Sequence, residues 1–211
     1  MGRAPKYIIS IFIIVFGFVF SIFNASSLKI WYDEAITLLQ LAGNASPDWP
    51  SGIQPASKFK DLFYGNIRFV NIIPMLQETD VHPPLYYSIA WGFHNISPDL
   101  LTTRSVSILT GLASTVFMFS VGRMFQLNGM VLMVLLVLFY FAPQVQWAAV
   151  NARGYGLALF LTTGTFAFCM KYLWINAGGG NNLHRGTYLI CAAVISSGMA
   201  FYTHYFTILI C

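Results

Sequence analysis

The chain has 211 residues, of which 57% are apolar, 17% aromatic and only 9% charged. A soluble domain carries about 25% charged residues, so a wholly water-facing surface is excluded and an integral membrane protein is indicated. The net charge of +4 comes from scattered Lys and Arg, which excludes the clustered basic patch of a nucleic-acid binder.

Arg3 and Lys6 precede an apolar run from Tyr7 to Phe23. That run predicts a first span entering from the cytoplasm. The same pattern also describes a signal peptide, with small residues near Asn24-Ala25-Ser26-Ser27. Residues 25–103 are too polar to cross and are broken by Gly43, Pro47, Pro50, Gly52 and Pro55. They predict one long extracytoplasmic loop carrying juxtamembrane helices. Trp31 and Tyr32 open the first of these. Asp33, Thr37, Gln40 and Asn44 form its polar stripe, with Ala35, Leu38, Leu39 and Ala42 opposite. Such a helix is expected to lie along the membrane surface, anchored by its aromatics.

The segment from Glu78 to Tyr87 places Asp80 and His82 before Pro83 and Pro84. Proline fixes φ and removes a backbone donor, so a stiff corner is predicted. In an extended approach, side chains two residues apart point the same way. A simpler reading makes Asp80 the N-cap of the following helix. Leu85 to Ile96 is apolar but short, which predicts a juxtamembrane or re-entrant helix.

Further spans are predicted over Arg104–Val121, Met130–Ala142, Gly156–Trp174 and Tyr188–Cys211. Arg123 marks a cytoplasmic turn, and a Gly/Asn-rich turn over 177–182 marks another. Pro143 to Tyr155 returns to the outside. The expectation is a single all-α, multi-pass module over residues 1–211 with about five spans. This topology gathers Asp33, Glu34, Asp80, His82, Arg104, Arg153 and Tyr155 on the outer side, with His204 near the same leaflet. Cys169, Cys191 and Cys211 lie in apolar runs without the paired spacing of a disulfide framework or zinc site.

Carboxylates at an apolar surface hold protons more tightly, which suits a general base; Asp33 and Glu34 are the candidates. Acidic residues also favour helix N-termini through the helix dipole. Asp33, Asp80 and His82 together offer donors for a divalent cation, Mg²⁺ or Mn²⁺. Arg153 and Arg104 each stand at a span edge. A guanidinium there either snorkels or meets a phosphate, whose geometry it matches. His204 is either a ligand or part of an aromatic cluster with Tyr202 and Tyr205.

Trp31-Tyr32-Asp33-Glu34-Ala35 after a first span resembles the acidic loop motif of the GT-C membrane glycosyltransferases. Asp80-Val81-His82-Pro83-Pro84-Leu85-Tyr86-Tyr87 resembles the motif of the dolichyl-phosphate-mannose protein mannosyltransferases and of bacterial relatives such as lipid A aminoarabinose transferases. Arg104, Ala152-Arg153-Gly154-Tyr155 and Tyr202-Thr203-His204-Tyr205 resemble that bacterial branch in order. The resemblance covers the amino-terminal half of such an enzyme, and Asn151 stands where relatives carry Glu. It implies inverting transfer of a sugar from a polyprenyl- or dolichyl-phosphate donor to a lipid, glycan or protein acceptor outside the membrane. Asp33 would act as base with Glu34 in support. Asp80 and His82 would shape the site or a metal, and Arg153 would hold the donor phosphate. A bacterial plasma membrane, or the endoplasmic reticulum in a eukaryote, would house it. The alternative is a non-catalytic subunit or truncated relative that binds a lipid-linked sugar. A transporter fits less well, because its polar groups belong near the bilayer midplane.

Overall fold

The computed structural model describes residues 4–45, 55, 57, 60–80, 82–177 and 183–204, and these form helices with no strand among them. α1 runs Ala4–Ser27 and α2 Tyr32–Ala42. Two 3₁₀ turns, Asp61–Phe63 and Phe69–Asn71, lead into α3, Ile72–Thr79. α4 covers Leu85–His94, α5 Leu100–Met124, α6 Gly129–Tyr140, α7 Pro143–Val150, α8 Tyr155–Ala177 and α9 Leu183–Phe201. The expectations resting on Pro47, Pro50, Gly52, Val81, Tyr205, Cys211 and the turn at 178–182 lie outside the described residues.

Among the described residues, three helical stretches are long and apolar enough to cross a membrane: Ile8–Ser27, Leu100–Met124 and Tyr155–Asn176. The chain is therefore a helical membrane protein. Two other crossings differ from the predicted ones. α6 and α7 are bent by 58° and make a fourth span only as a broken pair. The bend has a local cause: Pro143 has no N–H to continue a helix but suits the first position of a new one. So Pro143–Val150, expected as an external loop, is helical. The last crossing, expected from Tyr188 to Cys211, has its helix end at Phe201, with a turn at Tyr202 and Thr203.

α5 is the hub of the bundle. It touches α1, α4, α6, α7 and α8, and α8 in turn carries α9. Its sequence explains this: Ser107, Gly111, Ser114 and Thr115 are buried small residues, which let helices approach closely where lipid tails supply no hydrophobic drive. A Cβ on Gly111 would sit 2.6 Å from Ala149 Cβ. A Cβ on Gly156 would sit 2.9 Å from Ala148 O and 3.0 Å from Ser107 Cα. α1 turns Ile8, Phe12, Val19 and Phe23 outward and buries Ser10 and Ser21. Ser21 Oγ and Tyr140 OH share a hydrogen bond at 2.8 Å, which ties α1 to α6.

The predicted juxtamembrane helix is part of the core. α4 has 10 residues and spans roughly 15 Å, half a bilayer core. Tyr86, Tyr87 and Ala90 pack with Leu41, Ile72, Leu76, Val106, Leu157 and Ala200. Trp91 Nε1 donates to Ile67 O at 2.7 Å, fastening the loop before α3.

Backbone atoms, not flexible side chains, crowd Gly156. Gly156→Val is therefore expected to force α8 off α5 and destabilise the chain by about 1–3 kcal/mol. Thermal unfolding in detergent checks this, with Gly92→Val, which meets nothing within 4 Å, as the tolerant control.

Candidate functional site

The ends of α1, α2, α5 and α7 meet at a buried ion pair between Glu34 and Arg104, which are 0% and 1% exposed. Arg104 Nε donates to Glu34 Oε1 at 2.8 Å and Nη2 to Oε2 at 2.6 Å, a bidentate fork. The remaining donors go to the main-chain carbonyls that end α1: Nη1 to Ala25 and Leu28, Nη2 to Lys29. Glu34 also accepts from Trp31 N at 3.0 Å, closing the start of α2, and from Ala152 N at 2.7 Å, 118 residues along the chain. Burial alone would raise the Glu34 pKa. The hydrogen bonds from Arg104, Trp31 and Ala152 outweigh burial and hold it below its ordinary value.

Arg104, expected to bind substrate or to snorkel, has its donors taken by protein acceptors. Glu34, expected in catalysis, is fully buried, with its carboxylate held by Arg104, Trp31 and Ala152. The pair adjoins two other expected residues: Asp33 precedes Glu34, and Arg153 follows Ala152.

Arg153 is the reverse of Arg104. It is buried, yet its donors are not all taken. Nη1 donates to Tyr87 OH at 2.7 Å and to Asp80 Oδ2 at 3.4 Å. Nη2 stands 3.5 Å from Asp33 Oδ1, and Nε has no hydrogen-bond partner. Burial works against its charge, but Tyr87, Asp33 and Asp80 outweigh that and raise its pKa. Asp33 is the open member, with its side chain 33% exposed.

Asp80 sits at the C-terminal end of α3 in an extended conformation (φ −146°, ψ 156°), not at the N-cap of α4, which is Pro84. The extended approach turns His82 back onto it, with Nδ1 2.5 Å from Asp80 Oδ1. Asp80 Oδ2 accepts from Tyr87 OH at 2.7 Å and Gln40 Nε2 at 3.2 Å. Burial would raise its pKa, but these bonds from His82, Tyr87 and Gln40 carry it far below its ordinary value of 3.8. Beyond Asp80, the His82 ring lies 5.7 Å from His204, and His204 lies 5.3 Å from Tyr155, which stacks obliquely on Trp147 at 4.7 Å. Burial, then His82 and Arg153, lower the His204 pKa, favouring neutral imidazole. Leu85 N donates to Tyr202 O at 3.4 Å, which joins α4 to the end of α9.

Six of the expected residues, Asp33, Asp80, His82, Arg153, Tyr155 and His204, thus form one chain of contacts from α2 to α9. Two participants were not anticipated. Tyr87 lies in the quoted proline motif, and its hydroxyl bridges Asp80 and Arg153. Gln40 lies in the polar stripe of α2. The helix was expected to lie along the membrane surface, but Thr37 and Gln40 of its stripe are fully buried, and Gln40 reaches Asp80. A polar stripe on a membrane-surface helix and one lining a buried site have the same spacing.

The proposed metal ligands do not fit a cation. The Arg153 guanidinium lies between Asp33 and Asp80, and Asp80 is already engaged by four protein groups. Among the described residues no group of three His, Cys, Asp or Glu is arranged to hold a metal ion. Beside the corner, Asp80, His82, Pro83 and Pro84 line a cavity of about 210 Å³. Leu85 with Ile195, Met199, Phe201 and Tyr202 lines an apolar cleft of about 400 Å³. Comparison with protein-family models, curated proteins and solved structures gives no match.

Removing one member of the buried ion pair leaves the other buried and unpaired. Arg104→Met is expected to destabilise the chain by about 3–5 kcal/mol, read as a fall in unfolding temperature. Asp80 should behave differently with pH. Its folded pKa is depressed, so its stabilisation is complete above 3.8 and is lost only as pH falls below that value. With His82 replaced by Asn in both, so that no imidazole titrates beside it, the difference in unfolding temperature between chains carrying Asp80 and Asp80→Asn should be constant from pH 7 to 5. A difference that shrinks in that window would mean the carboxylate titrates there.

Proposed function

We propose that the chain carries a glycosyl-transfer site that takes a sugar from a polyprenyl-phosphate donor to an acceptor hydroxyl or amine on the extracytoplasmic side, in a bacterial plasma membrane. The observation that carries this reading is the arrangement around Arg153: a cation with an unpartnered Nε–H, beside a half-exposed carboxylate, Asp33. The order of the Asp33, Asp80-His82-Pro83-Pro84 and Arg153 motifs, similar to the GT-C enzymes, supports it. So does the apolar cleft beside Leu85, which suits a prenyl chain.

The chemistry follows from charge. Asp33 takes the proton of the acceptor. The acceptor's electron pair attacks the anomeric carbon from the face opposite the phosphate. The bond from that carbon to the phosphate oxygen breaks, and the polyprenyl phosphate leaves with the electron pair. Arg153 neutralises the leaving group, with Asp80 and Tyr87 aiming the guanidinium. Orientation and electrostatic neutralisation are what such a good leaving group requires.

The test is transfer from a radiolabelled polyprenyl-phosphate sugar in membranes holding the chain. Asp33→Asn is expected to lower transfer at least about 100-fold, the scale of a lost general base. Arg153→Lys keeps charge but not the planar fork, so it should raise the donor KM. Full transfer by both variants would sink the assignment. Donor binding without any transfer by the unaltered, inserted chain would favour the non-catalytic subunit instead.

A further inference from the structure

A second cavity lies at the other end of the bundle, where α5 and α8 finish. It has a volume of about 580 Å³ and is lined by Phe117, Ser120, Arg123, Phe168, Lys171 and Trp174 among others. Arg123 is 19 residues beyond Arg104 on α5, or about 28 Å along the axis, close to the ~30 Å hydrocarbon core of a bilayer. The cavity therefore sits at the opposite membrane interface from the candidate site, at head-group depth.

Its charge is one-sided. All seven Asp and Glu of the chain lie between Asp33 and Asp99, so α5, α6, α8 and α9 contain no carboxylate. No Asp or Glu is among the described residues that line the cavity, beside Arg123 and Lys171. Trp174, with 45% exposure, is an amphipathic ring of the kind that settles at head groups. Two cations, a serine hydroxyl and aromatic walls around an open volume suit a phosphate ester joined to an apolar body.

We propose that this cavity binds the phosphate head group of an anionic phospholipid in the leaflet opposite the candidate site. Arg123 and Lys171 neutralise the phosphate, Ser120 donates to it, and Phe117, Phe168 and Trp174 hold the glycerol and upper acyl carbons. The site is independent of the glycosyl-transfer reading, because it uses none of the same residues.

Native mass spectrometry of the purified chain, exchanged against phosphatidylglycerol or phosphatidylcholine, tests it. The unaltered chain is expected to retain phosphatidylglycerol preferentially. Arg123→Gln with Lys171→Gln should lose that preference, at about fivefold for each charge removed. Lys29→Gln, which is remote from the cavity, should keep it. Equal retention of both lipids, or an unchanged preference in the double variant, would overturn the proposal. Displacement of phosphatidylglycerol by low-millimolar inorganic phosphate would overturn the lipid in favour of a soluble anion. Should the double variant fail to fold, photo-crosslinking the unaltered chain with a phosphatidylglycerol probe decides. Adducts on residues 117–124 and 167–175 support the site, and adducts confined elsewhere refute it.

Discussion

Everything at the candidate site hangs on one buried ion pair. Removing a carboxylate and a guanidinium from water is expensive, and the pair survives only because its hydrogen-bonding capacity is met. Glu34 and Arg104 meet that condition between themselves and with main-chain groups of Ala25, Leu28, Lys29, Trp31 and Ala152. Those groups belong to the end of α1, the start of α2 and the loop between α7 and α8. One interaction therefore closes three segments, two of them adjacent in sequence and the third 118 residues beyond Glu34. Asp33 and Arg153 each lie one residue from a clamped position, so their relative placement is inherited from it.

The two arginines show how environment divides one chemistry into two roles. Both are almost wholly buried. Arg104 faces an anion that takes two of its donors and carbonyls that take the rest, so it can only hold the fold. Arg153 faces a phenol and two carboxylates at longer range, and keeps a donor without a partner. A further anion arriving there meets a guanidinium already oriented by Asp80 and Tyr87. Asp80 is in turn held by His82 and Gln40, so rigidity passes from the proline corner and α2 to the cation.

Much of this was legible in the sequence. Length and mean hydropathy mark α1, α5 and α8 as crossings, since each stays apolar on average over at least 20 residues with few charges. The prolines announce the corner, and the corner puts His82 on Asp80. What was not legible is long-range pairing. Glu34 follows Asp33 directly, yet consecutive helix positions point about 100° apart, so one reaches the interior while the other stays half open. Nothing local distinguishes the inward carboxylate from the outward one, nor an arginine with every donor taken from one with a donor left over. The helix over Pro143–Val150 and the end of α9 at Phe201 were not legible either. The polar residues Gln144 and Gln146 read as an external segment, and the apolar run past Phe201 gives no local sign of the turn at Tyr202 and Thr203.

The central claim is that Arg153, and not Arg104, is poised for a phosphate. Nitrogen NMR of arginine-labelled protein in bicelles reads it directly, with the Arg153 Nε–H signal assigned from Arg153→Lys. Adding a short-chain prenyl phosphate is expected to shift that signal and leave the other buried guanidinium unchanged. A shift at Arg104, or none at Arg153 under saturating ligand, would contradict the account.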